Sequence, residues 1–137
     1  MPNTDAYRVT LPGDSRRDSV ALSAAIRCGN LLFLSGQVAM GRDGKIVGPG
    51  DFAAQVHQAF ANIRRILEAA GSDLRKVVKT TTFVTDLTHV ATWSAIKKRY
   101  LSLPYPAGTI VEVNRFVSRE AMIEIEAVAL VEGEIRT

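Results

Sequence analysis

The chain has 137 residues, a length that suits one domain with a single core and is too short for two. Its composition, 47% hydrophobic and 23% charged, is ordinary for a globular protein. A formal net charge of +3 permits nucleic-acid binding without favouring it.

The distribution of residues excludes several classes of function. No apolar run approaches the roughly 20 residues that span a bilayer, so no membrane association is expected. The basic residues are scattered and no aromatic side chains interleave with them, so nucleic acid is not expected as a partner. Two histidines and one cysteine offer no metal-ligand spacing, and no glycine loop has the strand–turn–helix context of a phosphate site. We therefore expect neither a metal nor a cofactor.

The first segment, residues 1–19, is polar and lacks periodicity, and we expect a leader with little structure of its own. It carries three aspartates and is typical of neither a signal nor a transit peptide. A single cysteine, Cys28, excludes an intramolecular disulfide. These features predict a cytoplasmic protein whose single domain covers residues 20–137.

Two strands open this domain. An apolar, alanine-rich run at residues 20–27 predicts the first, and Gly29-Asn30 a turn into a second at residues 31–38. The glycine of Ser35-Gly36-Gln37 predicts a bulge or a close approach of another group.

The middle of the chain alternates helix and strand. Asp51 is a predicted N-cap, followed by apolar residues at three- and four-residue steps until Gly71. A third strand is predicted at residues 77–85, and a second helix from Asp86 or Thr88.

Two apolar runs close the chain, at residues 105–113 and 121–131. The second has a period of two, which is typical of a strand. Glu124 and Glu126 interrupt its apolar character, and a carboxylate in such a place costs free energy unless it meets a donor or water.

The predicted order is therefore β-β-α-β-α-β-β. Each helix has one apolar stripe, so both should pack on one face of a mixed sheet in a two-layer α+β domain. Three strands carry apolar residues on both sides, and the apolar area left uncovered by the helices predicts self-association.

Several segments in order along the chain resemble the YjgF/RidA (Rid) family, over roughly residues 22–131: GNLLFLSGQ at 29–37, ILEAAG at 66–71, VKTTTFVTDL at 78–87, PAGTIVEV at 106–113 and IEIEA at 123–127. The resemblance implies a chorismate-mutase-like α+β fold. It also implies a homotrimer with a barrel-like centre that binds small-molecule ligands in three clefts between subunits.

The resemblance further implies an activity and its residues. Deaminating Rid members hydrolyse reactive enamines and imines to keto acids, with a glutamate that positions water; that residue matches Glu124. The turn of Ser35, Gly36 and Gln37 also matches, and Thr109 and Ile110 follow the matching Pro-Ala motif. Three substrate-binding positions depart from the deaminase pattern: a tyrosine is replaced by Leu22, an asparagine by Ser94 and the carboxylate-binding arginine by Gly108.

The loss of this arginine leaves three interpretations open. An arginine binds a carboxylate through two parallel hydrogen bonds, which glycine cannot replace. The protein is then a hydrolase for a larger or less acidic substrate, such as a bulkier enamine or an aminomuconate-like compound. Alternatively, it is a binding or regulatory trimer without deaminase activity. The third interpretation is RNA cleavage or translational inhibition.

Overall fold

The computed structural model describes residues 4–13 and 18–137. Within these residues the strands and longer α-helices follow one another in the order β1 (Ala6–Val9), β2 (Ala25–Cys28), β3 (Leu31–Gln37), α1 (Phe52–Ala69), β4 (Val77–Val84), α2 (Val90–Lys97), β5 (Ala107–Glu112) and β6 (Ile123–Leu130). Short 3-10 turns precede β4 at Leu74–Lys76 and α2 at Leu87–His89.

All six strands belong to one sheet, in the order β1-β2-β3-β6-β4-β5. Every neighbouring pair is antiparallel except β4 and β5. Parallel neighbours need a crossover connection, and α2 provides it. The two C-terminal strands are therefore not neighbours, because β4 lies between them.

The strand β6 shows how the two layers form. Its residues alternate between buried and more exposed positions, as the period of two predicts. The buried set packs against the apolar stripe of α1 in the main core, and consists of Ile123, Ile125, Ala127 and Ala129. The predicted two-layer α+β architecture is confirmed.

The helix α1 begins and ends where its capping residues predict. Asp51 Oδ1 accepts a hydrogen bond from the backbone N–H of Ala54 at 3.0 Å. Aromatic rings then join α1 to α2, because the Phe60 ring stacks with Trp93 of α2 and with Tyr100 just after it, at centroid distances of 5.6 and 4.6 Å. This stack fixes both helices on the same face of the sheet.

The N-terminal region differs from the prediction in two places. Ala6–Val9 forms an edge strand on β2, so the expectation of little structure is wrong for these residues. Residues 1–3 and 14–17 of the predicted leader lie outside the described part. The strand predicted from residue 20 begins only at Ala25, because Ala21 has a left-handed φ of 55° that no strand accommodates.

The face of the sheet opposite the helices carries exposed apolar residues and is uncovered within the chain. Leu31, Phe33 and Val111 on this face are 37%, 45% and 39% exposed. A shallow cavity of about 240 Å³ lies on it, lined by Phe33, Leu34, Lys79, Thr81, Glu126, Ala127 and Val128. This is the uncovered area that the sequence predicts. Within the described residues, no helix is both long and apolar enough to cross a membrane.

Candidate functional site

The site begins with a bulge in β3. Leu34 pairs with Ala127 and Gln37 pairs with Ile125, so three steps on β3 correspond to two on β6. The Ser35 hydroxyl donates to the carbonyl of Ser23 at 2.6 Å, and the Gln37 side chain donates to the carbonyl of Ser35 at 3.1 Å. These bonds fix the bulge in place.

The bulge carries a glycine because the Glu124 carboxyl group lies directly over it. A Cβ atom added at position 36 would lie 2.8 Å from Cδ of Glu124 and closer still to its Oε1. Real Cβ atoms do not come this close to other atoms, so any larger residue would displace the carboxyl group. The glycine that the sequence marks for a close approach is therefore confirmed in that role.

Glu124 is half-buried, and its surroundings favour the neutral acid. Burial raises the pKa of its carboxyl group above the ordinary value, and the carboxylate of Glu126 raises it further. Both side chains lie on the uncovered face, since Glu124 pairs with Phe83 and Glu126 with Thr81, as the period of two predicts. A carboxylate with a raised pKa is suited to act as a general base near neutral pH.

Two amide side chains of α1 hold the strands of the site in register. Gln55 is fully buried; its oxygen accepts from the N–H of Met122 at 2.8 Å, and its nitrogen donates to the carbonyls of Gly48 and Glu120 at 3.1 and 2.9 Å. Asn62 donates to the carbonyls of Val38 and Met40, just after the bulge, at 3.1 and 2.9 Å. The helix thereby positions both β3 and the start of β6, two residues before Glu124.

Gln55 is polar by type, yet it lies on the apolar side of α1 and is fully buried. Its position three residues after Phe52 and four before Ala59 places it on the apolar stripe. This spacing was the signal that could have identified it as a buried residue.

We expect Gln55→Met to lower the free energy of unfolding by about 2–4 kcal/mol. Methionine has similar length and helix propensity but leaves the N–H of Met122 and two carbonyls without partners. Urea denaturation measures the effect. The control is Gln58→Met, which removes one bond to Asn62 from a half-buried position and should cost less than about 1 kcal/mol. Equal losses in the two variants would contradict the assigned role of Gln55.

The remaining predicted site residues are distributed over the chain. Leu22 is 53% exposed and directly precedes Ser23, whose carbonyl binds Ser35, so it borders the bulge. Ser94 is half-buried on α2. Gly108, Thr109 and Ile110 lie on β5, at an edge of the sheet.

A single chain therefore does not assemble the whole predicted site. The strands β6 and β4 lie between β3 and β5, and three steps of about 4.8 Å separate the bulge from β5. Gly108 also pairs with Thr80, on the helix-facing side, whereas Glu124 lies on the uncovered face. Ser35, Gly36, Gln37 and Glu124 form one cluster, which the positions on β5 do not join. No three His, Cys, Asp or Glu side chains lie close enough to hold a metal ion in residues 4–13 and 18–137.

Comparisons with known proteins identify the family. Residues 16–131 match the family model described as endoribonuclease L-PSP. A RutC family protein of Pyrococcus horikoshii is 40% identical over 108 residues, which cover 78% of this chain and 84% of that protein. The 2-iminobutanoate/2-iminopropanoate deaminase of Escherichia coli K12 is 39% identical over 106 residues, which cover 74% and 80%.

A solved structure agrees with these sequence matches. A protein of the conserved Rid family from Yersinia pestis superimposes with a TM-score of 0.81 at 29% identity, and the match covers 93% of this chain and 100% of that one. The resemblance stated from the motifs is thus confirmed over most of the length. The chain belongs to the endoribonuclease L-PSP family, which includes the Rid and RutC proteins.

Proposed function

We propose that this protein is a homotrimeric hydrolase that deaminates a reactive enamine or imine larger or less acidic than the 2-imino acids named for its Escherichia coli relative. The observation that carries the proposal is the half-buried Glu124 carboxyl group, held over Gly36 in the bulge of β3 with a raised pKa. A positioned carboxylate of this kind is what activation of water requires.

The reaction needs one base that later acts as an acid. Ionised Glu124 takes a proton from water while the water oxygen bonds to the imine carbon, giving a tetrahedral carbinolamine. With a protonated imine the nitrogen of this carbinolamine is a neutral amine, and Glu124 returns the proton to it. The carbon–nitrogen bond then breaks while Glu124 takes the proton of the hydroxyl group and passes it to the departing ammonia, so ammonium and a carbonyl product leave. Atoms balance with one water consumed for each ammonia released.

The choice of substrate follows from position 108. An arginine there would neutralise a substrate carboxylate through two hydrogen bonds, and Gly108 provides no charge and no side chain. A carboxylate that enters a partly buried cleft loses hydration free energy, and without a cation no interaction compensates for this loss. The proposed substrate therefore carries an uncharged group at this place, or occupies the volume that the arginine would fill.

A trimer is part of the proposal because one chain separates the two halves of the site. The uncovered apolar face and the outer edge of β5 are surfaces suited to a second copy. We expect sedimentation equilibrium to give three times the chain mass of 14.9 kDa, and Phe33→Glu on the uncovered face to shift the protein toward monomer. A stable wild-type monomer at micromolar concentration would refute the assembly.

The pH dependence of hydrolysis should report on Glu126. As a base, Glu124 is active when ionised, so kcat/KM should rise as pH rises through its pKa. Glu126→Gln removes the repelling charge, and we expect the acid limb of the profile to move to lower pH. The shift should shrink in high salt, because Glu126 is exposed. Glu134→Gln, a charge removed elsewhere, is the control. An unmoved limb in the Glu126 variant would contradict the role of Glu124 as base.

The second candidate function is a ligand-binding trimer without catalysis, and the absence of an arginine at position 108 favours it. An assay for ammonia release separates the two candidates. Purified protein is mixed with enamines generated in situ, some with and some without a free carboxylate. Release faster than in buffer, and lost in Glu124→Gln, supports hydrolysis. Saturable binding without release supports the second candidate.

A further inference from the structure

The hydroxyl group of Thr80 lies next to Gly108, a residue with no side chain to cover it. Gly108 on β5 pairs with Thr80 on β4. A Cβ atom added at position 108 would lie 3.2 Å from Oγ1 of Thr80, so any other residue would cover this oxygen. Thr80 is only 7% exposed and belongs to the buried polar residues of the domain.

The Thr80 hydroxyl has no hydrogen-bond partner within the described part of the chain, yet it is not sealed from solvent. The only fully buried side-chain oxygen without a partner, among the residues described, is Oγ1 of Thr82. Thr80 Oγ1 also has no partner, but it is not among the fully buried atoms, so solvent reaches it. Because Gly108 has no side chain, it leaves an opening above the Thr80 hydroxyl.

A hydroxyl at a nearly buried position with no protein partner must take its hydrogen bonds from water or from a ligand, because leaving such a group without a hydrogen bond costs free energy. A hydroxyl both donates and accepts, and it carries no charge. Its neighbour Lys79 pairs with Ala107 and lies on the opposite face of β4, so it supplies no cation here. The opening at Gly108 therefore presents an uncharged group that can both donate and accept a hydrogen bond.

We propose that Thr80 Oγ1, uncovered by Gly108, is a specificity-determining contact that binds an uncharged carbonyl or hydroxyl group of the substrate. This inference rests on the proposed function, since the cleft between subunits is what brings the opening toward Glu124 of a neighbouring copy. It names the substrate class: an enamine or imine bearing an amide, ester or hydroxyl group in place of a free carboxylate.

The test compares two probes of nearly the same shape, the neutral 2-oxobutanamide and the anionic 2-oxobutanoate, by isothermal titration calorimetry with the full-length protein. We expect the wild type to bind the amide more tightly than the acid. Thr80→Val keeps the shape but removes the hydroxyl, and should weaken amide binding about tenfold with little change for the acid. Thr80→Ser keeps the hydroxyl and should retain the preference. Gly108→Ala covers the oxygen and should weaken amide binding as valine does.

Three results would overturn the inference: equal amide affinity of wild type and Thr80→Val, a preference of the wild type for the acid, or no binding of either probe at millimolar concentration. Circular dichroism on each variant excludes unfolding as the cause of a loss. The outcome is separable from that of the proposed function. Binding requires no turnover, so a selective site in a protein that releases no ammonia would refute hydrolysis and retain the Thr80 contact.

Discussion

We expect Gly108→Arg to confer hydrolysis of imines with a free carboxylate, a reaction that the wild type should perform little or not at all. The guanidinium group would provide the two charge-assisted hydrogen bonds that a carboxylate accepts. Contacts of this kind are worth about 2–5 kcal/mol when desolvated, so the gain in kcat/KM should reach at least about tenfold. The assay follows keto-acid release from a transient 2-imino acid, with wild type and variant side by side.

The structure allows this substitution but limits its effect. Gly108 does not have a left-handed φ, and the added Cβ would meet Thr80 Oγ1 at 3.2 Å, so the hydroxyl must move by a few tenths of an ångström. Leu22 and Ser94 also depart from the deaminase pattern, so full activity is not expected. Gly108→Lys is the matched control: it supplies the charge without the planar fork and should gain less. Wild-type turnover comparable to that of an arginine-bearing relative would show that another residue already performs this role.

The second large effect concerns Glu124. We expect Glu124→Gln to reduce kcat on the protein's own enamine substrate by about 10²–10⁴-fold, the range for loss of a general base. Glutamine keeps the shape that fits over Gly36, so KM should change little. Glu126→Gln is the control, because it removes a negative charge from the same face and leaves Glu124 unchanged. Comparable losses in both variants would mean that negative charge on this face, and not proton transfer by Glu124, drives the reaction.

The stability of the same variant provides an independent control. Because the pKa of Glu124 is raised in the folded state, folding favours its protonated form. The ionised carboxylate therefore destabilises the protein once the pH rises above its ordinary range, and this cost is absent in acid. Glu124→Gln should unfold at a higher temperature than the wild type at pH 8 and at a similar one at pH 4. An inactive variant that is also less stable at pH 8 would point to misfolding instead.

Much of the fold could be predicted because its signals are local and periodic. The alternation along β6 and the stripe of α1 between Asp51 and Gly71 arise from the geometry of a strand and a helix. The uncovered apolar face could be predicted because two helices with one apolar stripe each cover only one side of a sheet.

The features that were missed depend on contacts between distant residues. Ala6–Val9 is exposed at three of its four positions, and only its pairing with β2 makes it a strand. The left-handed backbone at Ala21 could not be predicted, because the residue is not a glycine. Gln55 is polar by type but buried, because three backbone groups from two loops converge on it. The spacing of Gln55 indicates that it lies on the apolar stripe, but no local pattern encodes these backbone partners.

The candidate site divides in the same way. The cluster around Glu124 could be found because a glycine late in one strand and a carboxylate in an apolar strand are both anomalies of sequence. Its separation from Gly108 is a property of strand order, since β6 and β4 lie between β3 and β5. The unpartnered hydroxyl of Thr80 depends on a pairing register between β4 and β5 that sequence alone does not determine.

In the proposed reaction, Glu124 activates water for the deamination of an enamine or imine without a free carboxylate. Its most direct test is ammonia release from such a substrate, an enamine amide generated in situ, with wild type and Glu124→Gln measured beside a buffer control. We expect rapid release with the wild type, equal to the carbonyl product formed, and near-buffer rates with the variant. Release by the wild type no faster than in buffer, or equal release by wild type and variant, would contradict it.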